Sequence, residues 1–537
     1  MLCPAAVERK KMSRFSSISN KRRVLRTRVR AGMKAGFRTL GQPEVAVWAV
    51  LQGAAVAAAV VTAMLLGGCA SFSGIAPSAK IVSHESLATE KTFAPLAAED
   101  KWPNAQWWKR FGDAQLDALI DEALASDGAI TLRVAEARLK SASALASAAT
   151  SRALPRVNLD GNSTRERFSE NYIYPPPLGG STLTVNQLAL DFSYDIDFWG
   201  RNQAAIDAAR SQARVVAADG QAARLALTTS IARAWFQLQR LYALRDVTLA
   251  ATRQRQDILD LTRQRFNAGL DTNAELRQAE AGLPIARVDL AQIDESIALV
   301  HNQIAALLGK GPDRGITIGL PNGHPEARIA LPALLPAELI GRRPDLVAAR
   351  WRVEAARRDI DNAKARFYPN INLVASAGFL ALGASRFLDV GSRNLTVGPA
   401  ISLPIFDGGS LRANLSGKDA DYDAAVEQYN QTLVDALKDV ADQVVSLRSV
   451  TTQLADQDLA RVKTEQAYDV AMTRYKAGLA TYLTVLTAQT AVLQQQRADT
   501  ELKARVVDLD VGLIRALGGG YEAHDDDAPP IAQRDPS

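Results

Sequence analysis

The sequence predicts a mostly helical chain with a small membrane β component. Two tandem repeats each bring two β-strands and a pair of long coiled-coil helices. Three observations predict this class. The phrase Arg265-Phe266-Asn267-Ala268-Gly269-Leu270 returns as Arg474-Tyr475-Lys476-Ala477-Gly478-Leu479, about 209 residues later. Each copy ends a stretch without proline, Arg201–Asn267 or Ser410–Lys476, which as a helix would reach about 100 Å at 1.5 Å per residue. Strictly alternating apolar and polar residues precede each stretch. Aromatics make up only 6% of the 537 residues, which favours long packed helices over a compact enzyme core.

The N-terminus reads as an export signal. Twelve lysines and arginines lie in residues 1–69 against Glu8 and Glu44, and an apolar run from Val45 to Leu66 leads into Leu66-Gly67-Gly68-Cys69. A basic lead, an apolar segment and small residues before a cysteine form a bacterial lipoprotein signal. Residues 1–68 are then removed and Cys69 receives N-acyl and S-diacylglycerol chains, with no other cofactor expected. Met33 is an alternative start, since the basic lead is long. A transmembrane anchor is the competing reading of the apolar run, but a spanning helix needs no Leu-Gly-Gly-Cys. Ala70 follows the cysteine where an aspartate would favour inner-membrane retention, so the outer membrane is the expected destination. Without the signal the chain's +5 becomes about −5, and no nucleic-acid surface remains. Cys3 leaves with the signal, so no disulfide is expected, and His84, His301, His324 and His524 lack metal-ligand spacing.

The mature chain divides into a lipidated tether (69–103), a first repeat (104–310), a linker (311–330), a second repeat (331–517) and a disordered acidic tail (518–537). Each repeat opens with a short amphipathic helix, marked by Leu116, Leu119, Ile120 and Leu124 or by Leu334, Leu335, Leu339 and Ile340. A second helix ends at a proline phrase, Leu154-Pro155 or Tyr368-Pro369, which forces extended chain. Strands are expected at 157–168 and 371–380. Their partners run from Leu188 through Leu190, Phe192, Tyr194, Ile196 and Phe198, and through Leu395, Val397, Ile401, Leu403 and Ile405. The long helix follows, then the tip at Gly269 or Gly478, then a return helix over about 272–308 or 481–517. Gly282 and Pro284 predict a kink in the first return.

Four strands cannot close a membrane barrel, and an open sheet would leave two raw edges in lipid. Several chains must therefore share one barrel, and three would give about twelve strands.

Ordered motifs in both repeats sharpen the reading. They are Trp108-Lys109-Arg110-Phe111-Gly112-Asp113, Asp195-Ile196-Asp197-Phe198-Trp199-Gly200-Arg201, Arg342-Arg343-Pro344-Asp345, Pro404-Ile405-Phe406-Asp407-Gly408-Gly409 and the two tips. Over roughly 104–517 the chain resembles the outer-membrane factors of the TolC/OprM superfamily, in their NodT-like lipoprotein branch. The resemblance implies a homotrimer with a twelve-stranded outer-membrane barrel on a twelve-helix periplasmic barrel, and an equatorial collar. It implies the exit duct of a tripartite pump, without catalysis. The partners are a periplasmic adaptor and an inner-membrane transporter, of the RND class first, with MFS or ABC types as alternatives.

The resemblance also assigns sites. Adaptor docking maps to Arg265, Phe266, Gly269 and Leu270, and to Arg474, Tyr475, Gly478 and Leu479. Glycine caps and aromatic packing explain the same residues structurally. A periplasmic gate maps to Leu483, with Thr484 and Thr487 where relatives often carry aspartate, and Glu275 as a substitute charge. Ordinary coiled-coil packing is the competing role for Leu483. Threonines cannot repel anions as carboxylates do, so cation selectivity there is not implied. Asp191, Ser193, Asp195 and Asp197 share one strand face and are expected to line the channel or, alternatively, a solvated collar strand. Trp199 and Phe198 mark either the membrane interface or the junction of sheet and helices. Small-molecule efflux competes with an outlet for type I protein secretion and with a non-channel scaffold lipoprotein. No paired-carboxylate, Ser-His or zinc constellation supports a hydrolase.

Overall fold

The computed structural model describes residues 71–83, 86–88, 90–93, 102–321 and 335–523. The signal segment, Cys69, most of the linker, His84, His324, His524 and residues 524–537 lie outside the described residues. Among the described residues no helix is long and apolar enough to cross a membrane.

The first repeat contains α1 (Ala114–Leu124), α2 (Ile130–Arg152), β1 (Arg156–Arg167), β2 (Thr182–Ile196), α3 (Arg201–Asn267) and α4 (Asn273–Leu307). The second contains α5 (Leu335–Arg342), α6 (Pro344–Ala365), β3 (Asn370–Leu382), β4 (Arg393–Ser402), α7 (Ser410–Lys476) and α8 (Tyr482–Ala516). The duplication is exact in length where it matters: α3 and α7 have 67 residues each, α4 and α8 have 35 each. α4 continues through Gly282 and Pro284, and Arg255 donates to the Gly282 carbonyl at 2.9 Å.

The strands form one antiparallel meander, β1-β2-β3-β4, so the repeats meet at the β2–β3 pair. Both β1 and β4 are edges, which is why Pro399 is tolerated inside β4. Three expected strand ends shift, the largest being the start of β2, at Thr182 rather than Leu188. β4 stops at Ser402 rather than Ile405, because Pro404 has no N–H to continue a ladder. β2 stops at Ile196, so Asp197 and Phe198 lie beyond it.

The helices start by a shared device. Gly200 and Gly409 adopt the left-handed conformation at the α3 and α7 caps, with φ of +69° and +89°. Asp197 accepts from the Gln203 N–H at 2.8 Å, and Asp407 accepts from the Leu411 N–H at 2.6 Å. Each carboxylate satisfies a first-turn donor at a positive helix end.

The main core gathers Trp108, Leu116, Ile120, Ile231, Trp235, Leu238, Ile304 and Leu308, where α1 packs on α3 and α4. A second core joins Leu339, Leu346, Val426, Leu433, Val440 and Val444 across α5, α6 and α7. The Trp108–Asp113 motif is architecture here. Asp113 caps α1 through the Gln115 and Leu116 N–H groups and accepts from Trp235 Nε1 at 3.0 Å. Arg110 pairs with the buried Asp510. Arg343 likewise ties Asp345, Asp439 and the Ala516 carbonyl together, and Pro344 opens α6.

The chain ends differ from expectation. Residues 71–83 are extended but lie fixed along α7 in the same direction. Arg412 donates to the Ser71 and Ser73 carbonyls, Asp423 accepts from the Ser78 and Ala79 N–H groups, and Asn430 accepts from Val82. Residues 518–523, expected to begin a disordered tail, instead pack against α3, α5 and Asn104. Gly518, Gly519 and Gly520 all have positive φ, and a Cβ on each would strike Arg342, Leu225 and Asn104 respectively. Ala523 N–H then bonds the Gly341 carbonyl, and Glu522 pairs with Arg342.

Candidate functional site

Both helical tips close with the same backbone turn. Leu270 N–H bonds the Arg265 carbonyl at 2.9 Å, Leu479 N–H bonds the Arg474 carbonyl at 2.8 Å, and Gly269 and Gly478 sit at φ of +73° and +76°. A residue in this left-handed position with a six-to-one bond ends a helix, and glycine does so without a Cβ penalty.

Side chains break the symmetry. Arg265 grips Asp271 with both arms of its guanidinium, at 3.0 and 3.1 Å, and reaches across to the Tyr475 carbonyl at 3.1 Å. Its charge lies 4.5 Å from the Tyr475 ring centre, over the ring. Tyr475 is fully buried, donates to Asp271 at 2.5 Å, and its hydroxyl is 3.2 Å from Thr262 Oγ1. Burial and the bond to Asp271 push its pKa up to about 12. The first tip thus clasps the second through one Arg-Asp-Tyr node, on a floor of Ile258, Leu276, Leu283, Tyr482 and Val485. Of the residues expected to face a partner, Arg265 and Tyr475 turn inward, whereas Phe266, Leu270, Arg474 and Leu479 are exposed. Asp271 and Thr262 escaped sequence reading. The available signal was that Asp271 occupies the place of Ala480 in the other repeat.

Beyond the tips, Leu483 is 61% exposed and stands outside the buried cluster beneath them. Thr484 lies within 3.3 Å of the Thr481 hydroxyl, and Thr487 bonds the Leu483 carbonyl at 2.9 Å. Glu275, read as a substitute gate charge, accepts from Thr272 N–H at 2.7 Å in a reciprocal capping box. Its carboxylate thereby starts α4 and keeps its negative charge.

At the other end the sheet sorts its side chains by face near the helices. Val157, Phe192, Ala375 and Val397 are cross-strand neighbours, as are Leu159, Leu190, Ala377 and Leu395. Val157, Leu159, Leu190, Leu395 and Val397 are all exposed. The opposite face aligns Asn158, Asp191, Ser376 and Thr396, with Ser193 beside Arg156. Asp191 and Ser193 therefore share the polar face. Asp195 shares it too but is paired with Arg201. Asp197 does not belong to the strand; it caps α3, as described above. Trp199 stacks on Tyr368 at 4.6 Å and donates to the Pro369 carbonyl at 2.9 Å, so it joins the repeats at the sheet's base while staying half exposed.

Two strands and a pair of long helices, present twice in the chain, correspond to a known family. The outer membrane efflux protein model matches residues 119–310 and 335–519. The chain belongs to the outer membrane efflux protein family. The chain is 37% identical to the fusaric acid resistance protein FusA of Burkholderia cepacia over 372 residues, covering 69% of this chain and 70% of that protein. It is 32% identical to the multidrug resistance outer membrane protein MdtP of Shigella flexneri over 441 residues, covering 79% and 88%. Among solved structures it resembles the outer membrane protein VceC of Vibrio cholerae, at 41% identity and a TM-score of 0.74, covering 78% of this chain and all of that one. This efflux family member is an outer-membrane channel protein of efflux pumps, and its family and fold are those of channels rather than enzymes.

Proposed function

We propose that three copies assemble into the exit duct of a tripartite pump that expels small toxic compounds. The observation supporting this is the sheet: an exposed apolar face, a polar reverse and two unpaired edges, above helices of 67 residues. Three such sheets pair edge to edge into a twelve-stranded barrel, with polar faces lining the lumen. The helices continue as a twelve-helix conduit about 100 Å long. Asp191 and Ser193 line the passage near its junction with the helices.

The tips dock a periplasmic adaptor through Phe266, Leu270, Arg474 and Leu479, over the glycine turns. An inner-membrane transporter of the RND class supplies the cargo, with MFS and ABC types as alternatives. Leu483 narrows the periplasmic mouth. Thr484 and Thr487 add no charge to that mouth, and Glu275, ionised while it caps α4, is the carboxylate at the corresponding place in the first repeat. Cys69 is acylated, and the tether supports this. Ser71, two residues after the cysteine, is held by Arg412 in the first turn of α7, next to the base of the sheet.

The test is in-cell crosslinking from Leu479→Cys, chosen because Leu479 is exposed, followed by identification of the captured protein. An efflux adaptor is expected. Capture of a secretion adaptor would overturn the efflux reading in favour of protein export. Purified trimers that fail to conduct in planar bilayers would sink the duct itself.

A further inference from the structure

We propose that the outer end of the passage carries an apolar contact patch for amphipathic cargo, formed by Leu183, Val185, Leu380 and Leu382. This rests on the barrel reading above. The sheet faces exchange polarity along the strands. Below the Leu188–Phe379 pair, the outward face is apolar and the lumen face polar. Above it, the outward face carries Ser163, Arg165, Thr184 and Asn186, and Ser163 Oγ donates to Asn186 Oδ1 at 2.7 Å. The lumen face carries Leu183, Val185, Leu380 and Leu382, with Val185 paired directly to Leu382 and the exposed Gln187 beside Leu380 at the lower rim.

Register runs unbroken through the change, so the inversion is written in the residues and not produced by a bulge or slip. Polar residues outside are what a sheet needs where it leaves hydrocarbon for water. Nothing about the membrane asks for aliphatic residues inside. Leu380 and Leu382 nevertheless remain 45% exposed each. Exposed apolar surface beside water marks a contact with something apolar. In an efflux channel, what moves past this surface is the exported compound. At the same level β1 presents Asn162, Thr164 and Glu166 on the lumen face. An aliphatic wall beside a polar one suits a molecule with both characters. The patch is open and shallow, so contact is brief and release to the outside stays fast.

The test uses the full chain reconstituted in lipid vesicles, with Leu382→Cys or Leu395→Cys and a membrane-impermeant maleimide, against the chain without an added cysteine. Leu382→Cys should label roughly tenfold faster than the lipid-facing Leu395→Cys, because the reaction requires an aqueous thiolate. Rhodamine 6G, a cationic dye with a broad apolar ring system, should slow Leu382→Cys labelling by at least about twofold, as expected when a bound probe covers the thiol. Fast labelling that the probe leaves unchanged overturns the patch. Protection without any probe also overturns it, because a neighbouring loop then covers these residues. Equal fast labelling at Leu395→Cys instead defeats the barrel reading.

Discussion

The two tips share a backbone and differ in almost every side-chain role. Both end on a left-handed glycine with the same six-to-one bond. In the first tip the arginine is drawn inward and the aromatic faces out; in the second the arginine is exposed and the aromatic is buried. One residue accounts for the reversal. Asp271 holds Arg265 and Tyr475 together, and its counterpart Ala480 can hold nothing. Duplication supplied two equal turns; one carboxylate made one of them the clasp and left the other to be clasped.

Breaking that carboxylate should have the largest effect. Asp271→Ala takes the carboxylate from a part-buried guanidinium and a buried phenol, a loss of about 2 kcal/mol in local stability. Hydrogen exchange at residues 258–275 should accelerate strongly, while Ala480→Asp leaves the second tip nearly unchanged. Equal responses at both positions would refute the asymmetry. Tyr475→Phe keeps the ring beneath Arg265 but loses the hydroxyl bonds, and should cost about 1.5 kcal/mol. Phe266→Tyr, at an exposed position, should be neutral in the same thermal unfolding series. Thr272→Ala removes a capping box and should cost about 1 kcal/mol. Thr481→Ala should cost far less, because Thr481 makes no side-chain bond to the helix backbone. Gly269→Ala and Gly478→Ala test what remains symmetric. Neither site offers a steric obstacle, so each should cost about 1 kcal/mol through φ alone.

A smaller effect separates the tether from the tips by pH. Bonds from the Ser78 hydroxyl and from backbone N–H groups hold the Asp423 carboxyl below its ordinary value of 3.8. A lowered carboxylate pKa stabilises the docked tether above the ordinary value, and that contribution disappears as pH falls through the lowered one. Residues 71–83 should therefore become protease-sensitive only in strong acid, whereas Asp423→Asn should make them sensitive at neutral pH. Unchanged cleavage in the variant would show that Arg412 and Asn430 suffice.

Most of the fold was legible because its signals are periodic or punctuating. Proline-free runs bounded by glycine gave both 67-residue helices to the residue, and alternation placed all four strands. Strand ends were less legible. Alternation continued past Ile196 in the text, but Asp197 was claimed by the α3 N-terminus, a competition that pattern alone does not reveal. The tips were legible as turns, since glycine at a helix end has a local cause. Their side-chain roles depend on which residue lies across the hairpin, at a separation of about 204 residues between Asp271 and Tyr475. Glu275 has a local role that its place in the repeat did not suggest: the Thr272-x-x-Glu275 pattern is a capping box.

The three glycines at 518–520 bring the end of the second repeat against Asn104, at the start of the first, and against Arg342. Asn104 and Gly520 therefore lie at one level along the long helices, away from both the tips and the sheet. A label or affinity handle placed just after Ala523 would leave from the flank of the helices. It would obstruct neither the exposed tip residues nor the strands.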